Sequence, residues 1–159
     1  MGLSYHQGKN AAYLSEIHVI KKSSIDFPDL LLYLRTLRYE NDLTTEENFQ
    51  KIDFLPGSGL YNQKKTKKMG VNTFDISIAC KINKKQVSTT EWLQMFDNNK
   101  LVLLCKDNNN EGHIMVGSDE HHALMTYSEN ISNTNLIDIS FNCRQLHSPY
   151  YYSGVFSSN

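Results

Sequence analysis

The side chains of this chain able to do chemistry are its three cysteines, Cys80, Cys105 and Cys143, and the histidines of its second half. His121 and His122 are adjacent, and in a strand adjacent residues point to opposite faces, so one ion cannot be held by both. Cys143 and His147 stand four apart without a second Cys-His pair, whereas zinc takes about four ligands at characteristic spacing. A Cys-His nucleophile pair needs an exposed, activated thiolate. Each cysteine instead sits inside an apolar strand pattern. Gly57-Ser58-Gly59 lacks the lysine-serine ending of a phosphate loop, and nothing fixes a geometry for Glu46-Glu47 or Asp119-Glu120. The expectation is therefore no catalytic residue, no metal and no cofactor.

Two other groups of residues suit contact better than chemistry. Lys64, Lys65, Lys67 and Lys68 form a dense basic cluster, which reads either as a solvated loop tip or as a phosphate-contacting patch. Only Tyr61 lies near it as an aromatic platform of the kind single-strand binders use. Tyr150, Tyr151 and Tyr152, with Phe156 after them, suit a half-wet interface between subunits.

The elements that must position these groups are mostly strands. Phe74, Ile76, Ile78, Cys80 and Ile82 alternate with Asp75, Ser77, Ala79 and Lys81. Ile137, Ile139, Phe141 and Cys143 alternate in the same way with polar neighbours. That period of two predicts strands over 71–82 and 136–143, each with one buried and one wetted face. Leu101 to Cys105 is continuously apolar and predicts a strand buried on both sides. Between them, Ser88, Thr89 or Thr90 caps a helix over 89–97 that carries Trp92 and Phe96, stopped by Asn98-Asn99. Ile17 and Val19 mark a first strand, Ile114 to Val116 and Ala123 to Tyr127 two more, and Gly117 allows a bend. Trp92, Phe96, Leu101, Leu103, Phe74, Ile76, Ile78, Ile137, Ile139 and Phe141 are the expected core.

Residues 21–70 read as a long excursion holding a short helix or turn near Leu30 to Arg38, the Pro56-Gly57 turn and the lysine cluster. Loops of that length usually carry function or order on assembly. Residues 1–12, including Leu3 and Tyr5, read as a polar arm without the apolar stretch of a secretory signal, so the mature chain is expected to start there. Residues 149–159 read as a tail.

The whole is 159 residues with 40% hydrophobic and 21% charged residues and a formal net charge of -1. That fits one domain, and gives no global drive toward nucleic acid or membrane. No apolar run reaches the roughly 18–20 residues that span a bilayer. An odd number of apolar-patterned cysteines points to reduced thiols in a reducing compartment.

Trp92 to Phe96, Leu101 to Asp107, His113 to Gly117 and Leu136 to Tyr152 give the order helix, buried strand, hairpin, strand, bend and amphipathic strand ending in Pro-Tyr-Tyr. Gly2-Leu3-Ser4 and the early strand leading to Phe27-Pro28 complete the pattern. In this it resembles small neck and tail structural proteins of tailed bacteriophages, most of all those of crAss-like and related Bacteroidetes phages. The resemblance covers about two thirds of the chain as a pattern of turns and strands. It implies a mainly β, tail-tube-like fold: an antiparallel β-sandwich or barrel with one flanking helix and a long inserted loop. It also implies a non-enzymatic virion protein, made in the host cytoplasm, that forms a homo-oligomeric ring around the DNA channel beside other neck or tail proteins. Leu3, Tyr5, Tyr61, the four lysines, Tyr150, Tyr151, Tyr152 and Phe156 are the expected contact residues. A small nucleic-acid-binding β-barrel using the lysine loop is the second reading, and a cell-wall-cleaving or other hydrolytic enzyme the third.

Overall fold

A computed structural model describes residues 13–83, 87–108, 112–130 and 135–159. The strands are β1 (Leu14–Lys21), β2 (Ile25–Asp26), β3 (Arg38–Tyr39), β4 (Thr44–Thr45), β5 (Gln50–Lys51), β6 (Leu60–Lys68) and β7 (Val71–Asn83). Helix α1 (Val87–Phe96) follows, then β8 (Leu101–Asp107), β9 (His113–Val116), β10 (Ala123–Asn130), β11 (Leu136–Gln145) and β12 (Tyr150–Tyr152). The protein is mainly β, a sandwich with one flanking helix.

One large sheet runs β3-β12-β9-β8-β10-β11-β7-β6, and β1 adds to β8 and carries β5. Alternation sets its two faces. Along β7 and β11, Ile76, Ile78, Cys80, Ile82, Ile137, Ile139, Phe141 and Cys143 are buried while the residues between them are not. The two strands pair antiparallel from Leu136 opposite Asn83 to Gln145 opposite Phe74. Strand β8 is buried on both faces from Leu101 to Cys105. Its odd residues join a first core with Ile17 and Val19 of β1, the inward residues of β7, β10 and β11, and Leu93 and Phe96 of α1. All ten expected core residues lie in or against this cluster, Phe74 and Trp92 as its half-buried rim. The helix ends as its asparagines demand. Asn98 takes the left-handed conformation common just past a helix, and the Asn99 side chain donates to the Met95 carbonyl.

Val102 and Leu104 of β8 point the other way, into a second core with Ile20, Leu30, Tyr39, Phe49 and Met115. This second core corrects the expectation for residues 21–70. They form no single excursion. Their first part, with a 3-10 turn at Leu30–Tyr33, folds over the outer face of β8 and β9, and their last part is strand β6. Exposed apolar surface on β8 and β9 would cost about 25 cal/mol for each Å² left in water, which is why this covering layer is required.

Strand β6 pairs with β7 from Leu60 opposite Ala79 to Lys68 opposite Val71. Met69 and Gly70 alone connect them, both at positive φ (49° and 80°). Two left-handed residues make the turn whose twist matches a right-twisted hairpin. Gly117 also has positive φ, 102°. A Cβ there would meet Val102 Cγ2 at 3.2 Å and the Leu101 carbonyl oxygen at 3.3 Å, so the expected bend needs glycine.

Candidate functional site

The lysine cluster lies on a strand, and that changes its meaning. Lys64, Lys65, Lys67 and Lys68 are exposed along β6, the last strand of the sheet, and no described strand pairs with its outer edge. Lysines on an edge strand discourage uncontrolled edge-to-edge pairing. Lys64 faces Asp75 across the hairpin, and Arg144 Nε donates to Asp75 Oδ1 at 2.6 Å. Lys65 Nζ stands 5.8 Å from the centre of the Phe74 ring. Tyr61, near the base of β6, is half-buried against the first core and its hydroxyl donates to Gln63 Oε1.

The hairpin outruns the body of the sheet. Pairing of β11 with β7 stops at Phe74, so Val71, Asn72 and Thr73 are opposed only by β6. At the tip Met69 is 95% exposed and Val71 is 53% exposed. An isolated two-stranded ribbon with apolar residues in water is marginal alone. Here it is a projecting element with apolar tip and basic flank.

The expected aromatic interface is corrected. Tyr150 and Tyr152 are fully buried in the second core, and only Tyr151 between them is exposed. Tyrosine can be buried when its hydroxyl finds partners. Tyr150 donates to the Leu30 carbonyl at 2.9 Å; Tyr152 accepts from the Leu43 N–H and donates to the Val155 carbonyl. Phe156 is half-buried against the same core. Residues 155–159 fold back, with the Phe49 N–H donating to the Ser157 carbonyl and the Asn159 N–H to that of Phe49. The tail is thus part of the fold. Leu3 and Tyr5 lie outside the described residues.

The thiols are buried and free. Burial pushes Cys80 and Cys143 up to about 12 and raises Cys105 further. Thiolate is the nucleophilic form of cysteine, and burial disfavours it at all three. His121 and His122 lie in the loop before β10 rather than on the strand, which corrects the opposite-face reading. His121 is held in place, with Nδ1 beside Ser118 Oγ and Nε2 accepting from the Leu146 N–H. An open hollow of about 670 Å³ on the outer sheet face has Lys64, Asp75, Glu120, His122 and Arg144 around it. Its charges are of mixed sign.

One cluster was not anticipated. Glu16 and His18, two apart on β1, put their side chains on one face, and His113 opens β9 on the far side of β8. Glu16 Oε2 lies 3.0 Å from His18 Nε2 and 3.7 Å from His113 Nε2. Burial lowers the pKa of both imidazoles, while the His18 hydrogen bond lowers that of Glu16. The Glu-x-His spacing within a strand was the available signal. Its partner arrives from β9, about a hundred residues along the chain, and no local pattern links the two.

No protein-family model, curated protein or solved structure matches this chain. No helix among the described residues is long and apolar enough to cross a membrane.

Proposed function

We propose that this chain is a non-enzymatic structural subunit that assembles into a ring in the neck or tail of a tailed phage, with the β6–β7 hairpin as its principal contact. The observation that carries this reading is the hairpin tip. Residues 66–73 leave the sheet as a two-stranded ribbon, and Met69 and Val71 there have no cover within the described chain. Apolar residues at the end of a projection are explained by a neighbouring surface that receives them. The free edge of β6 offers a second mode, strand addition, with its lysines restricting which edges are accepted. Buried, high-pKa thiols and an open hollow of mixed charge favour a non-catalytic role. In this account the virion is the destination of the chain, and neighbouring neck or tail proteins are its other partners.

The lysine edge keeps one alternative in play, contact with the DNA that passes through the ring. Replacing Lys67 to Asn72 by a two-residue Asn-Gly turn tests both readings, because it removes the tip, keeps Thr66 opposite Thr73 and leaves β7 paired with β11. The shortened chain should fold, and should no longer form rings in electron micrographs of the purified protein. Rings that persist would contradict the hairpin contact. DNA binding by the full chain that weakens tenfold or more between 50 and 200 mM salt would favour the nucleic-acid reading instead.

A further inference from the structure

Three potential metal ligands meet where the first strand, the start of β9 and the C-terminal segment converge. The ligating atoms of Glu16, His18 and His113 all lie within 4.8 Å of one another. A tetrahedral zinc with bonds of about 2.0–2.1 Å sets its donors about 3.3 Å apart. The separations from Glu16 Oε2 to the two imidazole nitrogens, 3.0 and 3.7 Å, bracket that value. His113 Nε2 is buried and has no hydrogen-bond partner among the described residues. A buried polar atom left unpaired is destabilising, so it is seldom kept without a reason.

The surroundings resemble the outer shell of a metal site. His18 Nδ1 lies 2.9 Å from Ser158 Oγ, and that hydroxyl in turn reaches the Asn159 carbonyl at 3.4 Å. Ser158 Oγ can therefore accept a hydrogen bond from Nδ1–H, and in that tautomer the Nε2 lone pair faces Glu16. A divalent cation can take the place of the proton that otherwise joins Nε2 to Glu16 Oε2 in their 3.0 Å hydrogen bond. Phe156 packs edge-on against both imidazoles, with ring centres 5.1 Å away in each case, and holds their planes. Lys51 Nζ approaches the other oxygen of Glu16, Oε1, at 3.9 Å and works against a cation, while Oε2 stays turned toward the histidines. Glu16 is one-third exposed, which gives an ion and a water ligand access from solvent.

We propose that Glu16, His18 and His113 form a binding site for a divalent transition-metal ion of the zinc class, with water in the fourth position and Ser158 orienting His18. Two imidazoles and one carboxylate suit borderline ions such as Zn²⁺ and Co²⁺ better than Mg²⁺ or Ca²⁺, which prefer oxygen. The ion would tie β1 to β9 across β8 and, through Ser158, fasten the C-terminal segment to the sheet. This inference stands apart from the assembly reading and survives its failure.

The test uses untagged full-length protein, stripped with a chelator and titrated with ZnCl₂ by calorimetry, and with CoCl₂ by visible absorption. The expected result is one ion per chain, a raised melting temperature and the absorption of four-coordinate cobalt. Glu16→Gln and His113→Ala should each weaken zinc binding by about a hundredfold or more. Ser158→Ala should weaken it by about tenfold, as loss of an outer-shell partner does. His122→Ala is the control and should bind as the parent does. Circular dichroism of the stripped variants separates lost binding from lost folding, and Ser158→Ala, at an exposed residue, keeps the test alive if a core variant fails to fold. No binding by the parent chain at 100 μM zinc would overturn the proposal. So would binding that is unchanged in both Glu16→Gln and His113→Ala.

Discussion

Tyr150 and Tyr152 show how much a single hydroxyl decides. Three consecutive tyrosines beside a proline look like a sticky, half-wet surface. The alternation of β12 instead turns the outer two inward, and their hydroxyls satisfy backbone groups of residues 30, 43 and 155. Those three bonds fasten the covering layer and the C-terminal segment to the second core. Tyr152→Phe keeps the ring but leaves the Leu43 N–H without its acceptor. It should lower unfolding free energy in urea by about 1–3 kcal/mol. An unchanged transition would mean that these hydroxyl bonds contribute nothing to holding the layer. The cysteines make the complementary point. Their apolar strand patterns predict burial, and all three are buried as small apolar residues.

Among elements, the β6–β7 hairpin is the most consequential. Its turn is Met69-Gly70, with methionine in a conformation that costs an ordinary residue about 1–2 kcal/mol. Asparagine tolerates that conformation far better. Met69→Asn should therefore stabilise the monomeric fold by up to about 1 kcal/mol, read by thermal unfolding, while weakening self-association measured by sedimentation. Stabilisation with undiminished association would show that the tip side chain is not a contact.

The same hairpin explains which elements the sequence made legible. Strands β7 and β11 and helix α1 announce themselves through apolar periodicity, since each buries a stripe in the first core, and β8 through an unbroken apolar run that serves both cores. Strand β6 has little to bury. Its run Gln63-Lys64-Lys65-Thr66-Lys67-Lys68 carries no alternation, and Met-Gly is a weaker turn signal than Asn-Gly. An edge strand held by backbone bonds to one neighbour leaves little trace in side-chain pattern. The 22–49 layer was hidden for a different reason: its strands are two residues long, and its burial depends on the remote β8, β9 and β12.

At the scale of the molecule, two cores lie back to back on β1, β8 and β9 and make the body, which still exposes scattered apolar side chains such as Leu32, Val87 and Val155. In the proposed ring, assembly falls to what projects from that body, and the hairpin is the projection with an apolar end. The candidate metal cluster sits on the opposite side of β8 from the first core, where β1, β9 and the last five residues meet, and contributes to the body rather than to the projection. The central claim is that copies of this chain close into a ring. It is tested most directly by measuring the solution mass of the full chain across a hundredfold concentration range. The account predicts one discrete species at a whole-number multiple, at least four, of the 18.3 kDa subunit. A mass of 18.3 kDa at every concentration would contradict it.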